Sequence, residues 1–232
     1  IDVSSSTDPT LISRYSVPIS ARSIALGWNY VYVAGNHGWH VIDISDPARP
    51  VTVSSNKLGS IWDIEVSNDY AWVVSYYDGL HVFDITNPCV PVQVGNYNPS
   101  GYQTGIKISG NYAYLASYSA GIHVLDVSDP HNPVEVGHCD TPGYAYDVAL
   151  AGNYAYVADG HMGLRILDVS DPTDPKEVRC HDTPGEAIHV AIAGDYAYVA
   201  DKSGLRIVNV ADPTSPFGVG AYEEYNVYDV AV

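Results

Sequence analysis

The sequence predicts an all-β protein, a β-propeller of four-stranded antiparallel blades, and three observations lead there. One tyrosine recurs at Tyr30, Tyr70, Tyr112, Tyr154 and Tyr196, at spacings of 40, 42, 42 and 42 residues, and self-similarity at a period near 40 marks stacked supersecondary units. Each unit holds four short runs rich in Val, Ile and Tyr, bounded by Gly, Pro, Asn and Asp, as strands are. No segment carries helical periodicity.

The fourth unit shows the elements in order: strand A at Tyr146 to Leu150, B at Tyr154 to Ala158, C at Leu164 to Val169 and D at Lys176 to Cys180. Gly-Asn between A and B is a hairpin signal. Ser-Asp-Pro between C and D supplies an Asp side chain to the backbone and a Pro to fix the turn. The frame treats 1–232 as one propeller domain with units at about 21–60, 61–101, 102–143, 144–185 and 186–227. A C-like stub (Ile1 to Val3), a D-like run (Leu11 to Val17) and an A-like strand (Tyr228 to Val232) are left over. The simplest closure is six-bladed, its last blade shared by 1–20 and 228–232 and lacking strand B, so that the ring has no free edge.

The C strands read WHVIDISDP, LHVFDITNP, IHVLDVSDP, LRILDVSDP and LRIVNVADP, each after an aromatic B strand. In these motifs the chain resembles the LVIVD-repeat proteins over nearly its whole length. The resemblance implies a β-propeller, usually on secreted or surface-attached bacterial and archaeal proteins, and no common reaction. The WD40 alternative fails because Trp62-Asp63 falls in an A strand rather than ending one.

The net charge is −17, from 27 acidic and 10 basic side chains. It argues against nucleic acid and anionic membrane as partners and favours cations or basic surfaces, although solubility alone also accounts for it. With 20 Tyr and 2 Phe, the chain favours an aromatic that keeps a hydroxyl for the wet rim. Cys89, Cys139 and Cys180 form no C-x-x-C pair. Cys139 and Cys180 sit one residue out of register near D-strand ends, so a disulfide between neighbouring blades is open, while the splay of outer strands opposes it. A metal held by His138, Cys139, Cys180 and His181 is disfavoured on that exposed edge. No apolar run is long enough to span a membrane. The chain opens in mid-repeat, as a mature or trimmed product would, and export is inferred from the resemblance and the acidity.

Three sets of residues vary between blades at one position. The first opens strand A: Ser23, Asp63, Gly105, Asp147, His189 and Asp229. Here Asp63, Asp147, His189 and Asp229 are candidate ligands for a divalent cation such as calcium at the channel mouth; turn bonds by each Asp are the alternative. The second opens strand C: His40, His81, His123, Arg165 and Arg206. It is either a collar for an anion or, preferred, a set of inter-blade pairs with Asp43, Asp84, Asp126 and Asp168. The third is the loop face, from B–C and D–A connections: Asn36, His37, Tyr76, Tyr77, Asp78, Tyr118, Asp159, His161, Asp201 and Lys202, then Tyr102, Tyr144, Glu223, Glu224 and Tyr225. Of these, Tyr76, Tyr77, Tyr118, His161, Tyr102, Tyr144 and Tyr225 are the candidate ligand-binding residues.

No G-x-S-x-G, H-E-x-x-H, P-loop or G-x-G-x-x-G is present. The expected function is an extracellular or cell-surface binding or scaffold propeller whose loop face takes protein or carbohydrate. One alternative is self-assembly through the incomplete terminal blade. The other is a metal-assisted hydrolase or lyase on polysaccharide at the channel face, with Asp147 and Asp229 as its acids.

Overall fold

The structure is a computed structural model that describes residues 7–99, 101–223 and 227–232. Among these residues twenty strands form five four-stranded antiparallel sheets, each in simple chain order. The first contains β1 (Ala21–Gly27), β2 (Tyr30–Gly35), β3 (Gly38–Asp43) and β4 (Val51–Asn56), and the second β5 (Ile61–Ser67), β6 (Tyr70–Ser75), β7 (Gly79–Asp84) and β8 (Val92–Tyr97). The third contains β9 (Gly105–Ser109), β10 (Tyr112–Ala116), β11 (Ile122–Asp126) and β12 (Val134–Cys139). The fourth is β13 (Asp147–Ala151), β14 (Tyr154–Ala158), β15 (Leu164–Asp168) and β16 (Lys176–His181); the fifth is β17 (His189–Ala193), β18 (Tyr196–Ala200), β19 (Leu205–Asn209) and β20 (Phe217–Tyr222). The chain divides into two compact units, 1–95 and 96–232.

The first two strands of every sheet meet in a two-residue hairpin whose first residue has a positive φ: Trp28 at 55°, Asn68 at 54°, Gly110 at 58°, Gly152 at 57° and Gly194 at 54°. Short hairpins need this conformation to match the strand twist, and Gly or Asn adopts it at little cost. Trp28 does not.

The connection between third and fourth strands is two successive side-chain turns. Asp43, Asp84, Asp126, Asp168 and Asn209 each accept from the amide two residues on, at 2.8 to 3.2 Å. Asp46, Asn87, Asp129, Asp171 and Asp212 repeat the bond three residues later. Hydrogen bonds from Ser45, Ser128 and Ser170 hold Asp43, Asp126 and Asp168 below the usual carboxylate range. The carboxylates of these acids are therefore engaged in their own turns rather than with the basic set, which corrects the preferred reading of that set.

Within each unit, sheets bury apolar faces against each other. Tyr32, Ala34, Trp39 and Val41 of the first sheet pack on Ile64, Ala71, Val73 and Phe83 of the second. Tyr114, Ala116, Ile122 and Val124 pack on Val148, Ala155, Val157 and Leu167. Tyr156, Ala158, Leu164 and Ile166 pack on Val190, Ala197, Val199 and Val208. One set of positions thus makes the same interface three times, as strand alternation dictates.

Among the described residues five sheets are formed, and the expected sixth blade is not confirmed. Its C-like stub lies outside the described residues, and neither 11–17 nor 227–232 forms a strand. The early run is tied to the first sheet by side chains instead: the Ser13 hydroxyl donates to Pro47 O at 2.6 Å and the Tyr15 hydroxyl bonds Thr52 at 2.8 Å. Cys89, Cys139 and Cys180 are free thiols, so the Cys139–Cys180 bridge is not made.

Trp28 is 86% exposed, so its ring contributes little packing to offset the left-handed backbone. Trp28→Gly is expected to raise unfolding stability by about 1 kcal/mol, read as a higher urea midpoint with an unchanged m-value.

Candidate functional site

The residue that leaves each second strand is Gly35, Ser75, Ser117, Asp159 or Asp201, and the last two carry fully buried carboxylates. A buried carboxylate must be partnered. Asp159 accepts from the Thr141 hydroxyl at 2.6 Å and the Gly143 amide at 3.0 Å, and its carboxylate lies 3.6 Å from Arg165 Nε. Arg165 Nη1 also donates to Glu177 at 3.2 Å. Burial pushes the Asp159 carboxyl up, against these stabilising partners. Asp201 repeats the design: it accepts from the Gly185 amide at 3.1 Å, the Ser203 hydroxyl at 2.9 Å and Arg206 Nε at 3.0 Å. Arg206 then forks onto both oxygens of Glu223, which holds that carboxyl below its ordinary range.

The basic set is accordingly a series of locks within each sheet. His40 Nδ1 bonds the Ser55 hydroxyl at 2.8 Å, His81 bonds Gln93 at 3.2 Å and His123 bonds Glu135 at 3.0 Å. His40, His123, Arg165 and Arg206 are buried, which removes the anion collar as well as the inter-blade pairing.

These locks position the loop face. A Cβ on Gly143 would lie 2.1 Å from Asp159 O, and one on Gly185 would lie 2.0 Å from Asp201 O. Only glycine permits so close an approach. Each clasp thereby fixes the residue that follows, Tyr144 in one case and Glu186 in the other.

In the 96–232 unit the clasped residues meet. The Tyr118 and Tyr144 rings stack with centroids 4.2 Å apart and planes 6° from parallel. Tyr102 and Tyr146 meet Tyr118 edge-on at 6.2 and 5.5 Å. The Tyr146 hydroxyl donates to Glu186 Oε1 at 2.6 Å, and Lys202 Nζ donates to Glu186 Oε2 at 2.5 Å while lying 5.9 Å from the Tyr146 ring centre. Burial alone would raise the Glu186 carboxyl, but the Lys202 and Tyr146 bonds, with His161 adding a weaker electrostatic effect, leave it below its usual range. Burial and the Glu186 bond push the Tyr146 hydroxyl up, so it stays a donor. Tyr118 has φ of 46°, as does Lys202, at the position Gly160 fills with 61°. Tyr118 and Ala145 exchange amide bonds at 3.1 and 2.9 Å, which keeps the strained loop in place.

Of the candidate ligand-binding residues, the structure thus unites Tyr102, Tyr118 and Tyr144, with His161 in electrostatic reach of Glu186. Tyr76 and Tyr77 belong to the 1–95 unit, where Tyr76 stacks on Trp62 at 4.7 Å, Tyr77 meets Tyr76 edge-on and Arg22 lies 4.5 Å over Trp62. Tyr225 lies outside the described residues. Tyr146 and Glu186 escaped the sequence reading as binding residues. The repeat frame carried the signal for Glu186, since Gly101-Tyr102, Gly143-Tyr144 and Gly185-Glu186 are equivalent pairs.

Asp63 belongs to the 1–95 unit, and Asp147, His189 and Asp229 to the 96–232 unit. Ser23 donates to Asp63 at 2.6 Å, and Asp63 also accepts from the Ile64 amide at 2.8 Å. In the other unit His189 lies between two acids, Nε2 3.4 Å from Asp147 and Nδ1 3.2 Å from Asp229, while the Val190 amide donates to Asp147 at 3.0 Å. Among the described residues no three His, Cys, Asp or Glu side chains gather so as to hold a metal ion. In the 96–232 unit the arrangement is a row of side chains in which His189 of β17 stands between Asp147 of β13 and Asp229.

The sequence pattern of the LVIVD repeat matches five consecutive segments, 20–57, 58–99, 100–141, 142–183 and 184–224. The chain belongs to the LVIVD-repeat family. Among curated proteins none matches it in sequence. Three solved structures are similar. The computationally designed protein Ika8 has a TM-score of 0.69 at 9% identity, over 89% of this chain and 64% of its own. The periplasmic gluconolactonase PpgL of Pseudomonas aeruginosa has 0.75 at 16%, over 88% and 70%. The β-propeller domain of Cps50 (Swd1) from Myceliophteria thermophila has 0.67 at 18%, over 87% and 71%. The LVIVD chain therefore spans about two thirds of the designed protein's length, and likeness at these identities shows the fold alone, a β-propeller.

Arg165→Met would leave the Asp159 carboxylate buried without its guanidinium. Stability is expected to fall by about 3–5 kcal/mol, and pairing the change with Asp159→Asn should recover part of that loss. Urea unfolding of both variants and of Asp159→Asn alone gives the coupling directly.

Proposed function

We propose that this LVIVD propeller is an extracellular or cell-surface binding module whose tyrosine-lined loop face takes a protein or carbohydrate ligand. The observation that carries the reading is the parallel Tyr118–Tyr144 stack, with Tyr102 beside it, Tyr144 following a glycine held by the buried Asp159 carboxylate. Tyr102 and Tyr144 are 44% and 41% exposed, and amphipathic rings on a rigid scaffold form low-entropy contact surfaces. The charge of −17 turns the same surface away from nucleic acid and anionic lipid. Gluconolactonase activity belongs to the Pseudomonas protein; here Asp147 and Asp229 flank His189 rather than opening a space between them for a substrate. On combined glycan and peptide arrays the chain is expected to retain at least one class of ligand, and Tyr102→Ala/Tyr144→Ala to lose it while keeping the wild-type melting temperature. Retention that the double variant leaves untouched would sink the loop-face reading.

A second reading, assembly of copies, is favoured by the first sheet. Ile24 and Leu26 of β1 are 65% and 70% exposed, whereas Ile64, Val148 and Val190, the equivalents of Ile24, are exposed by 3% or less. On the fifth sheet Tyr198, Leu205 and Ile207 are half-buried, where Tyr156, Leu164 and Ile166 of the fourth are buried. Pairing those two faces between copies would repeat the interface each unit already makes, in a head-to-tail contact. The six-bladed arrangement belongs to this reading, since Tyr228-Asp229-Val230-Ala231-Val232 repeats Tyr146-Asp147-Val148-Ala149-Leu150. Sedimentation is expected to show concentration-dependent association that Leu26→Lys abolishes; a wild-type chain that stays monomeric throughout the series removes the reading.

A further inference from the structure

We infer that the ligand of the Tyr118–Tyr144 cluster is a neutral pyranose chain, its ring faces against the exposed tyrosines and its hydroxyls turned to Glu186, Lys202 and the Tyr146 hydroxyl. The inference rests on the loop-face reading and narrows it. Charge decides between the ligand classes. A lysine- or arginine-rich segment would seek a carboxylate beside an aromatic face, and the cluster contains both. The carboxylate and the ring nearest to it are already engaged by the protein's own cation: Lys202 pairs with Glu186 at 2.5 Å and lies 5.9 Å from the Tyr146 ring centre. An incoming cation would have to displace Lys202, which the Ala200-to-Gly204 connection holds in place with its φ of 46°. An anionic ligand meets a lysine that is already neutralised, on a chain of net charge −17.

A neutral sugar requires neither displacement. The Lys202 ammonium has three donors and uses one on Glu186, and its side chain is 42% exposed, so donors remain for hydroxyls. Glu186, ionised and bonded at both oxygens, keeps further lone pairs for a hydroxyl to donate to. Tyr102 and Tyr144 stand at equivalent positions of successive repeats, both partly exposed and both in ring contact with Tyr118. Two rings set in this way suit an extended polymer more than a single sugar. Aromatic walls with a few convergent polar groups are the usual composition of such sites.

Calorimetric titration with three classes of soluble probe tests the inference: neutral oligosaccharides from β-glucan, galactomannan and xylan; an oligogalacturonate; and oligolysine. At least one neutral oligosaccharide is expected to bind, with an affinity that changes little at raised salt. Tyr144→Ala should weaken it by about tenfold or more, and Lys202→Met should weaken it while admitting oligolysine, which the wild-type Lys202 excludes from Glu186. Circular dichroism and melting temperature establish that both variants are folded. Binding of oligolysine or oligogalacturonate alone, lost in Tyr144→Ala, would overturn the neutral-sugar inference and leave the loop face standing as the binding site. Binding of a neutral sugar that Tyr144→Ala and Tyr102→Ala both leave intact would overturn this inference together with the loop-face reading; absence of binding by every probe would overturn this inference alone, since the loop-face reading also admits a protein ligand.

Discussion

A four-stranded sheet with apolar residues on both faces has to be covered twice, and most of this chain's regularity follows from that requirement. The second and third strands hold nearly continuous buried runs, such as Ala155 to Ala158 and Leu164 to Leu167, because they lie in the middle of a sheet packed on both sides. The fourth strands are mostly exposed, as β20 is along its whole length. Tyr at the third position of β14 and Ala at its fifth face one neighbour, while Ala155 and Val157 face the other. A one-residue slip would exchange the two sets and leave rings of the wrong size in each interface, so the packing fixes the register and the register fixes where every loop begins.

The polar chemistry is built on that register. Where the second strand ends in Asp159 or Asp201, the third strand opens with Arg165 or Arg206; where it ends in Gly35, Ser75 or Ser117, the third strand carries His40, His81 or His123. A buried carboxylate demands a permanent cation, and arginine is the side chain that stays charged when desolvated. Histidine serves where the neighbour is neutral or only partly buried. The two Asp–Arg sheets are also those in which the carboxylate reaches forward to the Gly143 and Gly185 amides, so the stabilising pair and the presentation of Tyr144 and Glu186 are one network.

The fold was largely legible because the repeat prints the same hairpin, turn and strand patterns five times, and the register of Ser23, Asp63, Gly105, Asp147 and His189 could be read by alignment of the copies alone. The double side-chain turn was half legible: Asp-Pro announced a turn, but Asp43 and its equivalents looked like inter-sheet partners because parity assigns a face to the last residue of a strand and does not show that its carboxylate turns back to the amide two residues on. The site was legible as a surface and not as a set of contacts. Tyr118 and Tyr144 are 26 residues apart and come from loops of different sheets, so their stacking depends on the relative placement of two sheets. Glu186 was hidden by substitution, since it takes a position where the two preceding copies carry Tyr. The five-copy frame could place equivalent residues, but it could not show that Asp147, His189 and Asp229 pair in series.

Local energetics do not explain why Tyr118 and Lys202 hold the left-handed position that Gly160 fills comfortably. For a residue with a side chain that conformation costs roughly 1–2 kcal/mol. A stacked aromatic pair contributes about 0.5–1.5 kcal/mol beyond its area, and a largely exposed lysine pair typically about 0–1 kcal/mol. The gains at best cancel the strain. Glycine at both positions would leave the Tyr118–Ala145 type of backbone bridge intact, as the equivalent Gly160–Ala187 bridge demonstrates at 3.0 and 2.9 Å. What glycine cannot supply is the ring beside Tyr144 and the ammonium beside Glu186. Strained backbone of this kind is retained where surrounding structure enforces it and function uses the group it places. That links the two residues to the side chains their loops present more firmly than to the stability of the sheets that carry those loops.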